Sequence, residues 1–263
     1  MLPENLGLAT DLLLHAEIGV VEQGEHYVVV RTPDAPEYFF GNMLALPTRP
    51  RNNDLVRLEA DFARLVGTPP RILHRTFVWA EPADGAPDFS MFTAHGYDAT
   101  LCRVLVARPD DIRRVSVNAA VEVRPLDSQN DWDTWEKMQL ADMDDSSDVT
   151  SIRYVAWQQT AYRTLISKGL GDWWGAFIDG ELAGGLGLFF IGGIGRFQSV
   201  LTGEAYRNRG VCKTLVSEAI AHTAGRADRL VMLADESYHA GKIYEALGFR
   251  RGDRMARVCR EPQ

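Results

Sequence analysis

Apolar positions in the second half of the chain change their period in a definite order. Val121-Glu122-Val123-Arg124-Pro125-Leu126 predicts a strand. Asp131 to Met143 and Ser151 to Lys168 predict two helices. In the second, Tyr154, Trp157, Ala161 and Leu165 fall near one face. Trp173 to Ile178 and Leu182 to Ile191 predict a hairpin about Asp179-Gly180. A turn at Gly192-Gly193 leads into a strand from Arg196 to Thr202. A helix is expected after Gly210, with Val211, Leu215, Ala219 and Ile220 along one side. Arg229 to Ala234 is an apolar strand. Ala240, Ile243, Tyr244 and Leu247 mark one face of a last long helix, ended by Gly248, and Phe249 to Val258 supplies a final strand. The order over residues 119 to 260 is β-α-α-β-β-β-α-β-α-β.

The first half carries a fainter version of the same pattern. Gly19 to Arg31 predicts a hairpin turning at Gln23-Gly24. Phe39 to Leu46 is the next strand, Asp54 to Val66 a helix and Ile72 to Ala80 another strand. Phe92-Thr93-Ala94-His95-Gly96-Tyr97, followed by the apolar strand Leu101 to Ala107, matches Glu245-Ala246-Leu247-Gly248-Phe249 and the strand after it. A degenerate internal repeat accounts for the match; an unrelated α/β domain is the alternative. The join near Val115 to Ala120 has no long Gly/Ser linker. The expected division is 1–118 and 119–263.

Composition narrows the class. The chain has 263 residues, 46% hydrophobic and 24% charged, as in a globular protein with a sizeable core. The longest apolar run, Leu186 to Ile191, is broken by Gly192-Gly193 and cannot span a bilayer. The start lacks the pattern of a secretory signal. Cys102, Cys212 and Cys259 form no CxxC pair, so neither a disulfide framework nor a zinc site is expected, and a cytoplasmic setting is. A net charge of -8 argues against nonspecific nucleic-acid binding.

The candidate chemistry centres on Ala205-Tyr206-Arg207-Asn208-Arg209-Gly210-Val211-Cys212-Lys213, between a strand and a helix. A helix N-terminus offers backbone N–H groups and a positive dipole end to an anion. Gly210 lets a phosphate approach the backbone, and Arg207 and Arg209 add charge and fork-shaped donors. A P-loop is excluded: Lys213-Thr214 fits its end, but Arg207 and Cys212 stand where its two glycines belong. No G-x-G-x-x-G follows a strand, so a dinucleotide site is unsupported.

The segment resembles the acyl-CoA pyrophosphate loop of the GNAT superfamily of N-acetyltransferases, R/Q-x-x-G-x-G/A before a helix, with a Tyr in a later Y-x-x-x-G-F. Arg207, Gly210 and Tyr244 occupy the matching places; Cys212 replaces the last small residue. The resemblance covers residues 119 to 260. It implies an α/β (α+β) fold, a mixed central sheet flanked by helices, with the first half a degenerate copy lacking its own CoA loop. It implies that Arg207, Asn208, Arg209, Gly210, Val211, Cys212 and Lys213 hold the pyrophosphate of acetyl-CoA. The backbone of Val200, Leu201 and Thr202 would bond the pantetheine amides. Ser237 stands where the family often has an Asn touching CoA. Tyr244 would protonate the departing CoA thiolate; with an ordinary pKa of about 10 a phenol is a donor at neutral pH.

A base for the amine is less defined: Asp235, Glu236, Glu204 and His239 are the candidates. Asp142, Asp144, Asp145 and Asp148 would rim an acceptor pocket and favour a cationic amine, or serve as caps and solvated charges. Trp173 and Trp174 either line that pocket or divide between core and surface. The expected activity is acetyl transfer from acetyl-CoA to a primary amine of a small molecule, peptide or protein, without a metal. A non-catalytic acyl-CoA-binding regulator and a scaffold without CoA binding are the alternatives. No nucleic acid or membrane partner is expected. The sequence is compatible with a homodimer and leaves oligomeric state open.

Overall fold

A computed structural model describes residues 3–113, 117–143, 145–223, 225–238 and 240–262. Val115, Asp144 and His239 lie outside these, as does the side chain of Ala240. In chain order the elements are α1 (Leu6–Ile18), β1 (Val20–Gln23), β2 (Val28–Arg31), β3 (Met43–Leu46), α2 (Leu55–Leu65), β4 (Arg75–Glu81), α3 (Ser90–Thr93) and β5 (Asp98–Ala107). They continue with β6 (Glu122–Pro125), α4 (Gln129–Ala141), α5 (Val149–Ser167), β7 (Gly171–Ile178), β8 (Glu181–Ile191), β9 (Ile194–Thr202), α6 (Val211–His222), β10 (Arg229–Asp235), α7 (Ala240–Ala246) and β11 (Arg250–Arg260).

The chain divides into two compact units. The first comprises 1–104, 233–241 and 251–263; the second comprises 105–232 and 242–250. Both units draw on separated stretches of sequence, whereas the expected division at 118 is a single cut. Each unit is a mixed sheet flanked by helices.

The first unit orders its strands β1-β2-β3-β4-β11-β5. β3 runs parallel to β4, with Leu44–Leu46 opposite Phe77–Trp79, and α2 makes the crossover. The chain's last strand, β11, lies antiparallel to β4 from Arg254↔Glu81 to Arg260↔Arg75. Successive residues of β3 face opposite sides of the sheet. Leu44 and Leu46 pack with Leu58 and Phe62 of α2, while Met43 and Ala45 pack with Leu8 and Leu12 of α1. Helices therefore cover both faces, which is why β3 is buried throughout instead of alternating.

Two differences from expectation concern this unit. The structure adds α1 ahead of the hairpin; Asn5 caps it by accepting from Leu8 N at 3.0 Å. The strand expected over Phe39–Leu46 starts only at Met43. Asn42 accepts from Thr32 N and donates to the carbonyls of Ala35 and Tyr38, bending Phe39–Gly41 into a 3₁₀ turn.

The second unit orders its strands β10-β9-β8-β7-β6. Ser128 and Asp131 form a capping box at the start of α4, and Asp131 also holds Arg124 through two bonds of 2.8 and 2.9 Å. Trp132, Trp135, Tyr162 and Trp173 form one aromatic cluster, with Tyr162 and Trp173 rings 4.4 Å apart. The inward face of α5 is Val155, Gln158, Ala161, Tyr162 and Leu165, so Tyr154 and Trp157 stand at its margin. α7 is shorter than expected, seven residues. Among the described residues no helix is long and apolar enough to cross a membrane.

Candidate functional site

The site begins where β9 leaves its neighbour. β9 runs parallel to β10 over Ile194–Arg196 opposite Arg229–Val231 and then continues to Thr202 beyond that register. Its other edge follows β8, but with a bulge. Gln198 faces Gly187 and Leu201 faces Gly185, so Ser199 and Val200 together oppose Leu186. Ser199 has φ +42°, a left-handed conformation uncommon for a side-chain-bearing residue. The bulge re-aims the backbone of Val200, Leu201 and Thr202, the strand end named from sequence, and these residues are only partly buried.

A tight connection follows. Gly203 N donates to Ala183 O at 3.0 Å, and Glu204–Tyr206 make one 3₁₀ turn. Asn208 and Gly210 both take positive φ, +61° and +75°. Asn tolerates that region and Gly is suited to it. Gly210 is the N-cap of α6 and has no side chain to cap the helix. The first backbone acceptor bond into the turn is Thr214 N to Gly210 O at 3.0 Å, so the amides of Val211, Cys212 and Lys213 precede it. This is an anion-binding geometry: helix amides, a dipole end and no capping carboxylate.

Asn118, unnoticed in the sequence, braces the loop. Its Nδ2 donates to Arg209 O at 2.9 Å, its backbone N–H donates to Thr214 Oγ1 at 2.9 Å, and its Oδ1 accepts from Ala120 N. Arg209 lies over the Tyr206 ring, 5.4 Å from its centroid. Arg207 donates to Asp142 Oδ1 at 3.1 Å and to Thr202 O at 3.4 Å.

Tyr244 is 5% exposed. The turn after α7 holds it in place: Phe249 N donates to Tyr244 O and Gly248 N to Glu245 O, both at 3.1 Å, the paired bonds of a Schellman motif. Gly248 has φ +109°, and a Cβ there would meet Asp111 O at 2.5 Å. Tyr244 also hydrogen-bonds the Cys212 thiol, so the loop and the α7 tyrosine meet at that sulfur. Burial pushes the thiol up to about 11, partly offset by the Tyr244 bond. Cys212 is thus a thiol at neutral pH, not a nucleophilic thiolate.

Ser237 stands elsewhere, in the first unit, in the exposed turn after β10, where its N–H and hydroxyl both donate to Asp235 Oδ1. Glu236 is paired with Arg103 at 2.5 Å, and Glu204 lies on the 3₁₀ turn. Each described member of the acidic cluster has a partner. Asp142 holds Arg207, Asp145 accepts from Ser147, and Asp148 caps α5 through Ser151 N at 2.9 Å. Trp173 and Trp174 are both buried, 0% and 5% exposed. Trp173 faces the α4–α5 aromatic cluster and Trp174 stacks on His222 of α6, because β7 is covered on both faces.

A second polar chain reaches the bulge from α5. Gln158 Nε2 donates to Tyr154 at 2.7 Å and lies 3.5 Å from the Tyr162 hydroxyl, which is 3.1 Å from Ser199 Oγ. The residues at 154, 158 and 162 share a helix face at four-residue spacing, a signal visible in the sequence. Among the described residues no group of three or more His, Cys, Asp or Glu is placed to hold a metal ion.

Comparison with known proteins bears on this geometry. Residues 132–249 match the sequence model of the Acetyltransferase (GNAT) family. Among curated protein sequences there is no match. A functionally unknown conserved protein from Staphylococcus epidermidis superimposes with TM-score 0.76 at 11% identity, over 93% of this chain and 95% of that one. A GNAT-family acetyltransferase, described as putative, from Novosphingobium aromaticivorans gives 0.58 at 18% identity, over 97% and 96%. A tandem GNAT protein of the clavulanic acid biosynthesis pathway gives 0.57 at 16% identity, over 81% and 71%. These structural likenesses concern the fold.

Proposed function

We propose, from the match of residues 132–249 to the Acetyltransferase (GNAT) family, that the protein transfers the acetyl group of acetyl-CoA to a primary amine. The observation that carries the proposal is the continuous path from the β9 bulge through the Gly210 connection to the uncapped start of α6. Backbone donors along Val200–Thr202 suit the pantetheine amides, and the amides of Val211 to Lys213, with Arg207 and Arg209, suit a pyrophosphate.

In this reading the amine nitrogen attacks the thioester carbonyl carbon. A C–N bond forms, the C–S bond breaks, and the electron pair leaves on sulfur. A backbone N–H near the bulge stabilises the carbonyl oxygen as it gains charge. Tyr244 donates its proton to the departing thiolate, and the proton lost by the amine balances the step through solvent. Cys212, held as a thiol against Tyr244, orients that hydroxyl and does not take the acetyl group. Direct transfer therefore fits better than an acyl-enzyme. The division of labour follows: 119–263 carries the chemistry, and 1–118 is a divergent half without a CoA loop.

A second reading, an acyl-CoA-binding regulator, keeps the donor site without transfer. It is favoured by one observation: Asp235 and Glu236, two candidates for the base, are engaged by Ser237 and Arg103. Thermal unfolding with acetyl-CoA tests the shared part. A ligand at about 100 times its Kd stabilises by roughly 2.7 kcal/mol. The shift is expected in the native chain and lost in the Arg207→Ala, Gly210→Glu double variant; no shift in a folded native chain overturns both readings. Thiol release with a panel of amines then separates them, since the regulator releases none above background.

A further inference from the structure

The first unit contains a cavity of about 730 Å³, within the size range of small-molecule sites. It lies where β3 and β4, parallel neighbours, come to their carboxyl ends. Leu46–Arg49 leaves β3 on one side and Ala80–Pro82 leaves β4 on the other; the β1–β2 turn and the start of α1 complete the walls. The crevice outside the carboxyl ends of parallel strands is where open α/β sheets take their ligands.

The lining does not suit an anion. The connection from β3 to α2 contains Pro47 and Pro50, no glycine, and ends on Asp54, whose carboxylate accepts from Arg51 N at 2.8 Å. The one arginine of the lining, Arg49, is spent on Glu81, whose fully buried side chain also accepts from Trp79 Nε1 at 2.7 Å. Of the lining's four carboxylates, Glu4, Glu25, Glu81 and Asp253, that pair neutralises one and leaves three, with His26 beside Glu25. Leu8, Val28 and Ala45 give an apolar wall on the α1 side. Tyr27 adds a ring fixed by its hydroxyl, which donates to Asp61 at 2.8 Å.

We propose that this cavity binds a small amphipathic cation. An amine with an aliphatic body places its chain against Leu8, Val28 and Ala45 and its ammonium group among Glu4, Glu25 and Asp253. The site is separate from the Gly210 loop and independent of acetyl transfer.

Isothermal titration of the full chain with n-alkylamines and n-alkanoates of equal length tests it. Amine affinity is expected to rise about fourfold per methylene until the cavity is filled, and to fall as salt is added. Alkanoates should bind on the order of tenfold weaker or not at all. Thr48→Trp, on the exposed loop at the cavity mouth, should abolish amine binding in a chain whose circular dichroism and cooperative unfolding match the native chain. Glu25→Gln with Asp253→Asn should weaken amine binding yet keep the chain-length trend, and Gly210→Glu should leave it unchanged. The proposal is overturned by absence of saturable amine binding, by equal affinity for alkanoates, or by amine binding that survives Thr48→Trp. The last outcome would place the amine elsewhere, such as at an acceptor site.

Discussion

The two units each build a parallel strand pair with a helical crossover, and they differ at three comparable points. After α3 of the first unit, Tyr97 N donates to Phe92 O at 3.1 Å and Gly96 N to Thr93 O at 3.2 Å. This is the same bond pair that holds Tyr244 to Phe249 in the second unit. The turn is repeated, but Phe92 stands where Tyr244 does, so the first unit keeps the ring and lacks the hydroxyl. β3 stays paired with β4 to its last residue, Leu46, whereas β9 runs on past Arg196 with a bulge. The connection after β3 ends on the carboxylate of Asp54; the one after β9 ends on Gly210. A shared scaffold therefore does not carry shared chemistry: the proposed acyl-CoA site differs from its counterpart in a freed strand edge, a glycine in place of a carboxylate at the helix start, and one oxygen atom.

The largest difference between the units is expected in their response to acid. Burial, and secondarily the charge of Arg75, depress the pKa of His74 to about 4 from an ordinary 6.5. As pH falls below 6.5 the unfolded chain gains a proton that the folded chain does not take until about 4. The stability is therefore intact above 6.5 and lost between 6.5 and 4, at about 1.4 kcal/mol per pH unit. Tm against pH should slope in this window in the native chain and be flatter in His74→Phe; identical slopes would acquit His74. The second unit answers later. Arg124 holds the Asp131 carboxyl well below the usual carboxylate range, so its contribution is present above about pH 4 and lost only as pH falls lower.

Next in size is Tyr244→Phe, which gives the second unit the aromatic side chain of the first. Turnover is expected to fall roughly 100-fold while acetyl-CoA affinity stays within about twofold. Unchanged kcat would remove the acid role. Asn118→Ala releases the loop at Arg209 O, a loss of about 1 kcal/mol, which should weaken acetyl-CoA binding about fivefold in titration. The smallest effect is expected from Asp142→Asn. It frees Arg207 from a half-exposed ion pair and should tighten acetyl-CoA by less than about fivefold, with weaker salt dependence as the check. Looser binding would show that Asp142 positions Arg207 instead of competing for it.

The second unit was legible because its signals are local. Asp179-Gly180, Gly210 and Gly248 each take positive φ where the sequence marks a turn or a helix end. Less was legible where a residue's role depends on a distant partner. Asn118 looks like linker until its amide meets Arg209, and Tyr162 like core until its hydroxyl meets Ser199. Covering both faces of β7 buries Trp173 and Trp174 alike, which no alternation within one strand reveals. In the first half, Asn42 shortens β3 through a contact ten residues back at Thr32. The apolar stretch Leu6–Ile18 lacks the one-sided stripe that marks a surface helix.

The placement of β11 has a consequence for synthesis. β4 is made early, yet its antiparallel neighbour along Arg254–Arg260 is made only after the second unit's stretches 105–232 and 242–250. Until then β4 offers an unsatisfied hydrogen-bonding edge, the kind of surface that recruits other chains. A product truncated after Phe249 would retain the Gly210 loop and Tyr244 and still lack a strand of the other unit. The first unit's sheet is thus complete only once Arg254–Arg260 has been made, whatever the state of the second unit.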